Sequence, residues 1–405
     1  MSLDFRKIRK DFPILDQQVH GKPLVYLDNA ATTQKPQVVL DKVEEFYLKT
    51  NANIHRGAHF MANETTEAFE EARETVRQYI NAGERSEIIF THGTTESVNL
   101  VAFSFGEAFV SEGDEIVVSE LEHHANIVPW QLLCERKKAT LKVLPFDENG
   151  VLKIDELDGL LSERTRLVAM NHVSNTLGTI NPVDKIVEIA HKRNIPVLLD
   201  GAQGIAHYPP DVQKLDCDFY VFSGHKIYGP TGIGVLYGKR KWLDQMPPFM
   251  GGGEMISEVK FSGTTFNELP YKFEPGTPNY IGAVALGTAI DYVQSLGVDN
   301  LAVREQELLN LATAKLKSIE GLRIFGEAEN KVGVISFEIE GIHSFDLGTL
   351  LDQLGVAVRT GRMCTDPIMD HFGVPGMTRA SFAFYNTEEE VEALYKALIR
   401  IKGMF

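Results

Sequence analysis

Several apolar runs in this chain stop on a residue that can do chemistry. "EIIF" leads to Gly93-Thr94-Thr95, and "VVSELE" leads to His123-His124. "VAMNHVS" leads to Asn175. "PVLL" stops on Asp200, with Gln203 close behind. "YVF" stops on Ser223-Gly224-His225-Lys226. The inventory is hydroxyls, an imidazole, amides, a carboxylate and a primary amine. Taken singly, each has an ordinary explanation. A threonine at a helix start is usually a cap, and a lysine at a strand end is usually solvated. Taken together they suit one site, provided that the runs share one sheet edge.

The runs meet that condition. From about residue 85 to 240, apolar strand-like runs alternate with helical patterns such as "PVDKIVEIAHKRN". Continuous apolar runs suit strands covered on both faces, hence a mostly parallel sheet with helices on both faces. In such sheets ligands bind beyond the carboxyl ends of the strands. The segment opening at Thr94 and Thr95 reads as a helix start, whose free N–H groups suit a phosphate. After about residue 285 the pattern changes to long helices and then to a mix of strands ("KVGVISFEIEG", "GVAVRTG", "TRASFAFYN") and helices. This reads as a smaller α+β domain. We therefore expect a large domain over 16–290 and a small domain made of 1–15 and 291–405. The glycine-rich "FMGGGEMISEVKFSG" reads as an exposed loop of the large domain.

One cofactor uses all the strand-end groups at once. Pyridoxal 5′-phosphate needs a lysine for its Schiff base and an acidic partner for its pyridine nitrogen. Lys226 and Asp200 follow successive strands and meet that need. The glycines after Lys226 allow backbone to approach closely.

The motifs "DGAQ", "SGHKIYGPTGIG", "HHANIVPW", "HVSNTLGT" and "FEPGTPN" resemble the class V branch of the fold-type I pyridoxal-phosphate enzymes. More closely, the chain resembles SufS-type cysteine desulfurases, also described as selenocysteine lyases. The likeness runs from "LDNAATTQKP" to "TRASFAFYNT". It implies that Lys226 carries the cofactor, Asp200 meets the pyridine nitrogen, Gln203 meets the ring hydroxyl and His123 stacks on the ring. It implies that Thr95, Ser223 and His225, with Thr94 beside them, hold the phosphate. Thr277 of "PGTPN" is similar to a residue that reaches the partner subunit's phosphate, which implies a homodimer. Asn175 and Arg379 look like ligands of the substrate carboxylate, with His55, Arg56 and Arg359 lining the same pocket. His343 is expected near its mouth.

The chain has only three cysteines. Cys134 lies in a helical pattern and Cys217 precedes a buried strand, so both read as packing. Cys364, in "RTGRMCTDP", has Arg359 and Arg362 nearby, which is expected to favour the thiolate. It aligns with the persulfide-forming cysteine of the family. Those relatives usually carry Gly-His-His ahead of this cysteine, where this chain has Gly361-Arg362-Met363. The activity implied is conversion of L-cysteine, or L-selenocysteine, to L-alanine. A persulfide on Cys364 would then pass to an acceptor of SufE or SufU type for iron–sulfur cluster assembly. A thiol-independent lyase or an aminotransferase of the same class remains open, and so does a non-catalytic protein that keeps the fold.

Composition bounds the partners. The 405 residues carry a net charge of −16, which repels nucleic-acid backbones and anionic membranes. The cysteines lack metal-ligand spacing, and their scarcity points to a reducing compartment, the cytoplasm.

Overall fold

The apolar runs form the strands of a seven-stranded sheet. The structure, a computed structural model, describes residues 3–405. Met1 and Ser2, part of the 1–15 segment, lie outside the described residues. The strands are β1 (Ile88–Thr91), β2 (Glu115–Ser119), β3 (Thr140–Leu144), β4 (Thr165–Asn171), β5 (Val197–Asp200), β6 (Phe219–Ser223) and β7 (Gly234–Gly238). Their spatial order is β1-β7-β6-β5-β4-β2-β3. Every neighbouring pair is parallel except the two that involve β7, which runs antiparallel between β1 and β6.

Burial on both faces explains the continuous apolar pattern. Val168 and Met170 of β4 join one core with Val197 and Leu199 of β5. Leu167 and Ala169 join the opposite core with Leu198, Phe219 and Val221. Helices α1 (Phe60–Tyr79), α4 (Val183–His191) and α5 (Tyr280–Leu296) cover the first face. Helices α2 (Thr94–Phe109) and α3 (Val128–Lys137) cover the second. No single described helix is long and apolar enough to cross a membrane.

After α5 the chain enters α6 (Val298–Lys317) and a four-stranded antiparallel sheet. Its strands are β8 (Leu322–Phe325), β9 (Val334–Ile339), β10 (Arg359–Gly361) and β11 (Met377–Ser381), in the order β8-β9-β11-β10. Helices α7 (Ser344–Gln353), α8 (Asp366–Phe372) and α9 (Glu388–Lys402) accompany it. Leu308 of α6, Leu347 of α7 and Leu398 of α9 pack with Ile335 and Phe337 of β9 in a separate core. Val25 and Leu27 belong to the same core, and Val25–Tyr26 pairs in parallel with Val356–Ala357. Small-domain packing thus takes in residues well past residue 15. Upstream, Arg9 donates to the Tyr385 carbonyl at 3.0 Å and pairs with Glu390 at 2.9 Å.

Two local expectations change. The run "GVAVRTG" is not one strand, because Val356–Ala357 pairs with the N-terminal segment while Arg359–Gly361 pairs with β11. The segment read as a glycine-rich loop instead forms an exposed hairpin, Ile256–Lys260 against Gly263–Phe266.

Candidate active site

The strand register sets the floor of the site. Asn171 lies opposite Asp200, and Asp200 lies opposite Val221. Ser223 lies opposite Gly234, and Gly234 opposite Thr91. The carboxyl ends of β1, β4, β5 and β6 are therefore aligned. Over them opens a cleft of about 320 Å³.

At one end of the cleft, α2 begins. Gly93 precedes it and, being glycine, offers no side chain to cap its N–H groups. The Thr94 N–H donates to Ser223 Oγ at 2.8 Å, and Thr94 Oγ1 lies 2.8 Å from the same oxygen. Gly234 must be glycine, since a Cβ there would stand 2.4 Å from Gly93 Cα. With Thr95 and His225 lining the same end, the lining offers hydroxyls, helix N–H groups and an imidazole to an anion.

Asp200 forms the floor. It is buried, its Oδ1 accepts from the Ala202 N–H at 2.9 Å, and no cation pairs with it among the described residues. Burial raises its pKa, while the Ala202 N–H and Lys226 pull the other way. A buried carboxylate with an open face wants a donor, and a protonated ring nitrogen fits. Lys226 stands in the turn Gly224–Lys226 just beyond β6. Burial lowers its pKa to about 8, against the pull of Asp200. The amine is thus far more easily deprotonated than an ordinary lysine. These residues fit pyridoxal phosphate.

His123 follows β2 and lines the cleft. Burial, aided by Lys226, lowers its pKa to about 4, so the ring is neutral near pH 7. Its Nδ1 accepts from the Ala125 N–H at 3.0 Å, which leaves the proton on Nε2. Gln203 Nε2 donates to the Ala30 carbonyl at 2.6 Å and holds the opposite wall.

The small domain supplies the remaining wall. Arg359 on β10 and Arg379 on β11 are cross-strand partners. Both reach Asp28, Arg359 at 2.7 Å and Arg379 at 3.1 Å. Arg379 Nη1 also donates to the Asn175 carbonyl at 2.8 Å, while its buried Nε has no partner. Asn175 Nδ2 donates to the Met363 carbonyl at 3.0 Å. Cys364 is exposed at the cleft wall, whereas Cys134 and Cys217 are buried.

The cleft therefore gathers Lys226, Cys364, His123, Thr94, Thr95, Asp200, Gln203, Ser223, His225, Asn175, Arg359 and Arg379. It does not gather Thr277, His55 or Arg56 from the same chain. His55 Nε2 lies 3.3 Å from Glu70, and Arg56 pairs with Glu254 at 2.9 Å. Thr277 is exposed beside the hairpin segment, where the Gly276 N–H bonds the Gly253 carbonyl. The expectation that His55 and Arg56 line the pocket thus fails within one chain, because local carboxylates hold them elsewhere. His343 caps α7 and does not line the cleft. Arg362 also differs from expectation. It pairs with Asp366 and with Asp370 rather than pointing its charge at the thiol.

Two contributors have no part in the sequence reading. Asp28 joins the two arginines. Glu122 is fully buried and accepts from Asn126 Nδ2 at 2.7 Å and from the Asn171 N–H at 2.9 Å. Burial raises its pKa to about 8, and it secures the turn just before His123. Asp28 does follow the apolar "LVYL", the same signal that marks the other residues.

The chain matches the family described as aminotransferase class-V over residues 25–394. It belongs to that family. Among class-V members it is 50% identical over 402 residues to a cysteine desulfurase of Shigella sonnei, with 99% of each chain covered. It is also 50% identical to a cysteine desulfurase of Synechococcus elongatus, over 99% of this chain but only 64% of that longer protein. Its fold is similar to the crystal structure of the cysteine desulfurase CsdA from Escherichia coli, with TM-score 0.93, 38% identity and complete coverage of both chains. The cofactor of this class-V group is pyridoxal phosphate.

The neutral histidines make a prediction about acid. His123, His172 and His225 each have a native pKa of about 4 against 6.5 in a free chain, burial being the first cause in each. Between those values the unfolded chain binds more protons, so stability falls as pH falls. The urea midpoint of the cofactor-free protein is expected to be lower at pH 4.5 than at pH 6.5, and His172→Gln to flatten that slope. Because Glu122, whose pKa burial raises, pulls the wild-type slope the other way, an unchanged slope in His172→Gln is the result that would count against the assignment.

Proposed function

We propose that this chain is a pyridoxal-phosphate-dependent cysteine desulfurase in which Cys364 takes the sulfur. The observation that carries the proposal is that Lys226 and Cys364 line one cleft. The cofactor, when bound, supplies an electron sink for charge that develops at the substrate α-carbon. Lys226 would hold it covalently, Asp200 would accept from its ring nitrogen, and Gln203 would bind the ring hydroxyl. His123 would pack on the ring. Thr94, Thr95, Ser223 and His225 would cradle its phosphate.

The chain's own residues do the rest. Arg379 and Arg359, with Asn175, bind the carboxylate of L-cysteine. Lys226 Nζ accepts the α-proton as general base. Its lowered pKa keeps part of the amine unprotonated near neutrality. His123 manages a proton at Nε2. The Cys364 thiolate attacks the substrate sulfur, so that an S–S bond forms as the Cβ–S bond breaks. The electron pair stays with the carbon fragment and is protonated. L-Cysteine and the Cys364 thiol thus give L-alanine and a Cys364 persulfide, with no external oxidant. L-Selenocysteine, of the same shape, fits the same reading as an alternative substrate.

Other parts of the reading rest on placement. Of the two domains, 16–290 and 1–15 with 291–405, the division near 290 is supported by a separate small-domain core, whereas Val25 and Leu27 in that core, and Ile8, Phe12 and Leu15 in the first-face core, speak against the N-terminal boundary. A homodimer is supported by Thr277, His55 and Arg56, which do not line their own chain's cleft and suit a partner's. The exposure of Cys364 leaves access for a sulfur acceptor of SufE or SufU type serving iron–sulfur cluster assembly. Three unpaired cysteines favour the cytoplasm.

The test is to incubate the holoenzyme with L-cysteine and a thiol reductant and to assay alanine and sulfide. Equal amounts of both, with no keto acid added, are expected. Turnover that requires a keto acid would instead identify an aminotransferase.

A further inference from the structure

The loop that carries Cys364 is held by contacts that the reaction itself does not require. Gly361, Met363 and Cys364 all have positive φ, at 100°, 54° and 56°. For Met363 and Cys364 this left-handed backbone is unfavourable and persists only where the surroundings impose it. The Met363 carbonyl is held by Asn175, and the Cys364 carbonyl accepts from the His124 N–H at 2.9 Å. Thr365 Oγ1 lies 2.8 Å from Thr176 Oγ1.

Around that backbone is a cluster of charged and polar side chains. Arg362 Nε pairs with Asp366, and its Nη2 pairs with Asp370 at 2.8 Å. His124 Nε2 lies 2.8 Å from Asp366 Oδ2, and the Asp366 N–H points at the same nitrogen from 3.2 Å. Asp366 is therefore shared between the thiol loop and the turn that carries His123. One arginine serves two carboxylates on α8, just beyond the thiol.

We infer that Arg362, Asp366, Asp370 and His124 form a clasp that positions the Cys364 thiol over the cleft. Arg362 is then a positioning residue for sulfur transfer, acting through the loop and touching neither cofactor nor substrate. The inference rests on the reading of Cys364 as the sulfur acceptor. On this reading the arginine at position 362 serves to hold the loop by ion pairing.

The experiment compares wild type with Arg362→Ala, Arg362→Lys and Asp370→Asn as holoenzymes. Three quantities are read: single-turnover persulfide formation on Cys364, the visible spectral change on adding L-cysteine, and amide hydrogen exchange across 361–366. Arg362→Ala is expected to slow persulfide formation by roughly 5-fold, the scale of one exposed ion pair, and to speed exchange in the loop. The spectral change should keep its rate and half-saturation. Arg362→Lys should keep part of the wild-type rate, and about 0.5 M salt should reproduce part of the loss in the wild type. Unchanged persulfide formation and unchanged exchange in both Arg362→Ala and Asp370→Asn would overturn the clasp. A parallel loss of the spectral response would also overturn it, since the effect would not be confined to the loop. Persulfide mapped to a different cysteine would overturn the acceptor reading instead, and loop exchange would still decide on the clasp.

Discussion

Lys226→Ala protein is expected to make no measurable alanine from L-cysteine and to lose the borohydride-reducible link to its cofactor. The loss should be the largest of any single substitution. The amine lies in the cleft with a pKa lowered to about 8, so it can be both the covalent anchor and the base. Asp200 and the phosphate-binding residues remain, so the variant should still bind the cofactor, but reversibly. The same variant tests the shared dimer. Mixed with an inactive Thr277→Asp subunit, it should recover activity, because one composite site keeps both Lys226 and Thr277. Normal alanine production by Lys226→Ala would end the assignment. A fully active monomer in sedimentation would end the shared-site reading alone.

Cys364→Ser should fail at a different stage. The residues that hold the cofactor and the substrate carboxylate are untouched, so cofactor content and the spectral response to L-cysteine should match wild type. Persulfide should be absent, and sulfide release should fall by a factor of ~100 or more, since the covalent nucleophile is gone. Neither Cys134 nor Cys217 can substitute, because both are buried and burial raises their pKa. Continued desulfuration by Cys364→Ser would favour the thiol-independent lyase.

Much of this arrangement is legible in the sequence because the site sits where strands end. Strands β4, β5 and β6 are buried on both faces, so each apolar run is conspicuous and the polar residue that stops it stands out. Strands β3 and β8 escape notice for the opposite reason. Both lie at sheet edges and are partly exposed, so Lys142 and Arg323 interrupt their apolar character. Asp28 escapes because its function lies in Arg359 and Arg379, which are far away in sequence and have no local pattern to announce them. Arg362 is misread for a subtler reason. Two residues of separation from Cys364 suggests that its charge bears on the thiol. The left-handed backbone at Met363 and Cys364 turns the chain, and the guanidinium meets α8 instead.

On the proposed reading, the Asp28 bridge is also a charge filter. Two guanidinium groups face one carboxylate there, which leaves a surplus of one positive charge in a partly buried wall. Charges in such a setting interact more strongly than in water, so the count matters. A substrate with one carboxylate cancels the surplus. An amine without a carboxylate leaves it standing. A dicarboxylic amino acid carries one negative charge too many and must find another cation or pay to keep the second carboxylate hydrated. If Arg359 and Arg379 bind the substrate carboxylate as proposed, this surplus favours small monocarboxylic amino acids before any chemistry at sulfur begins.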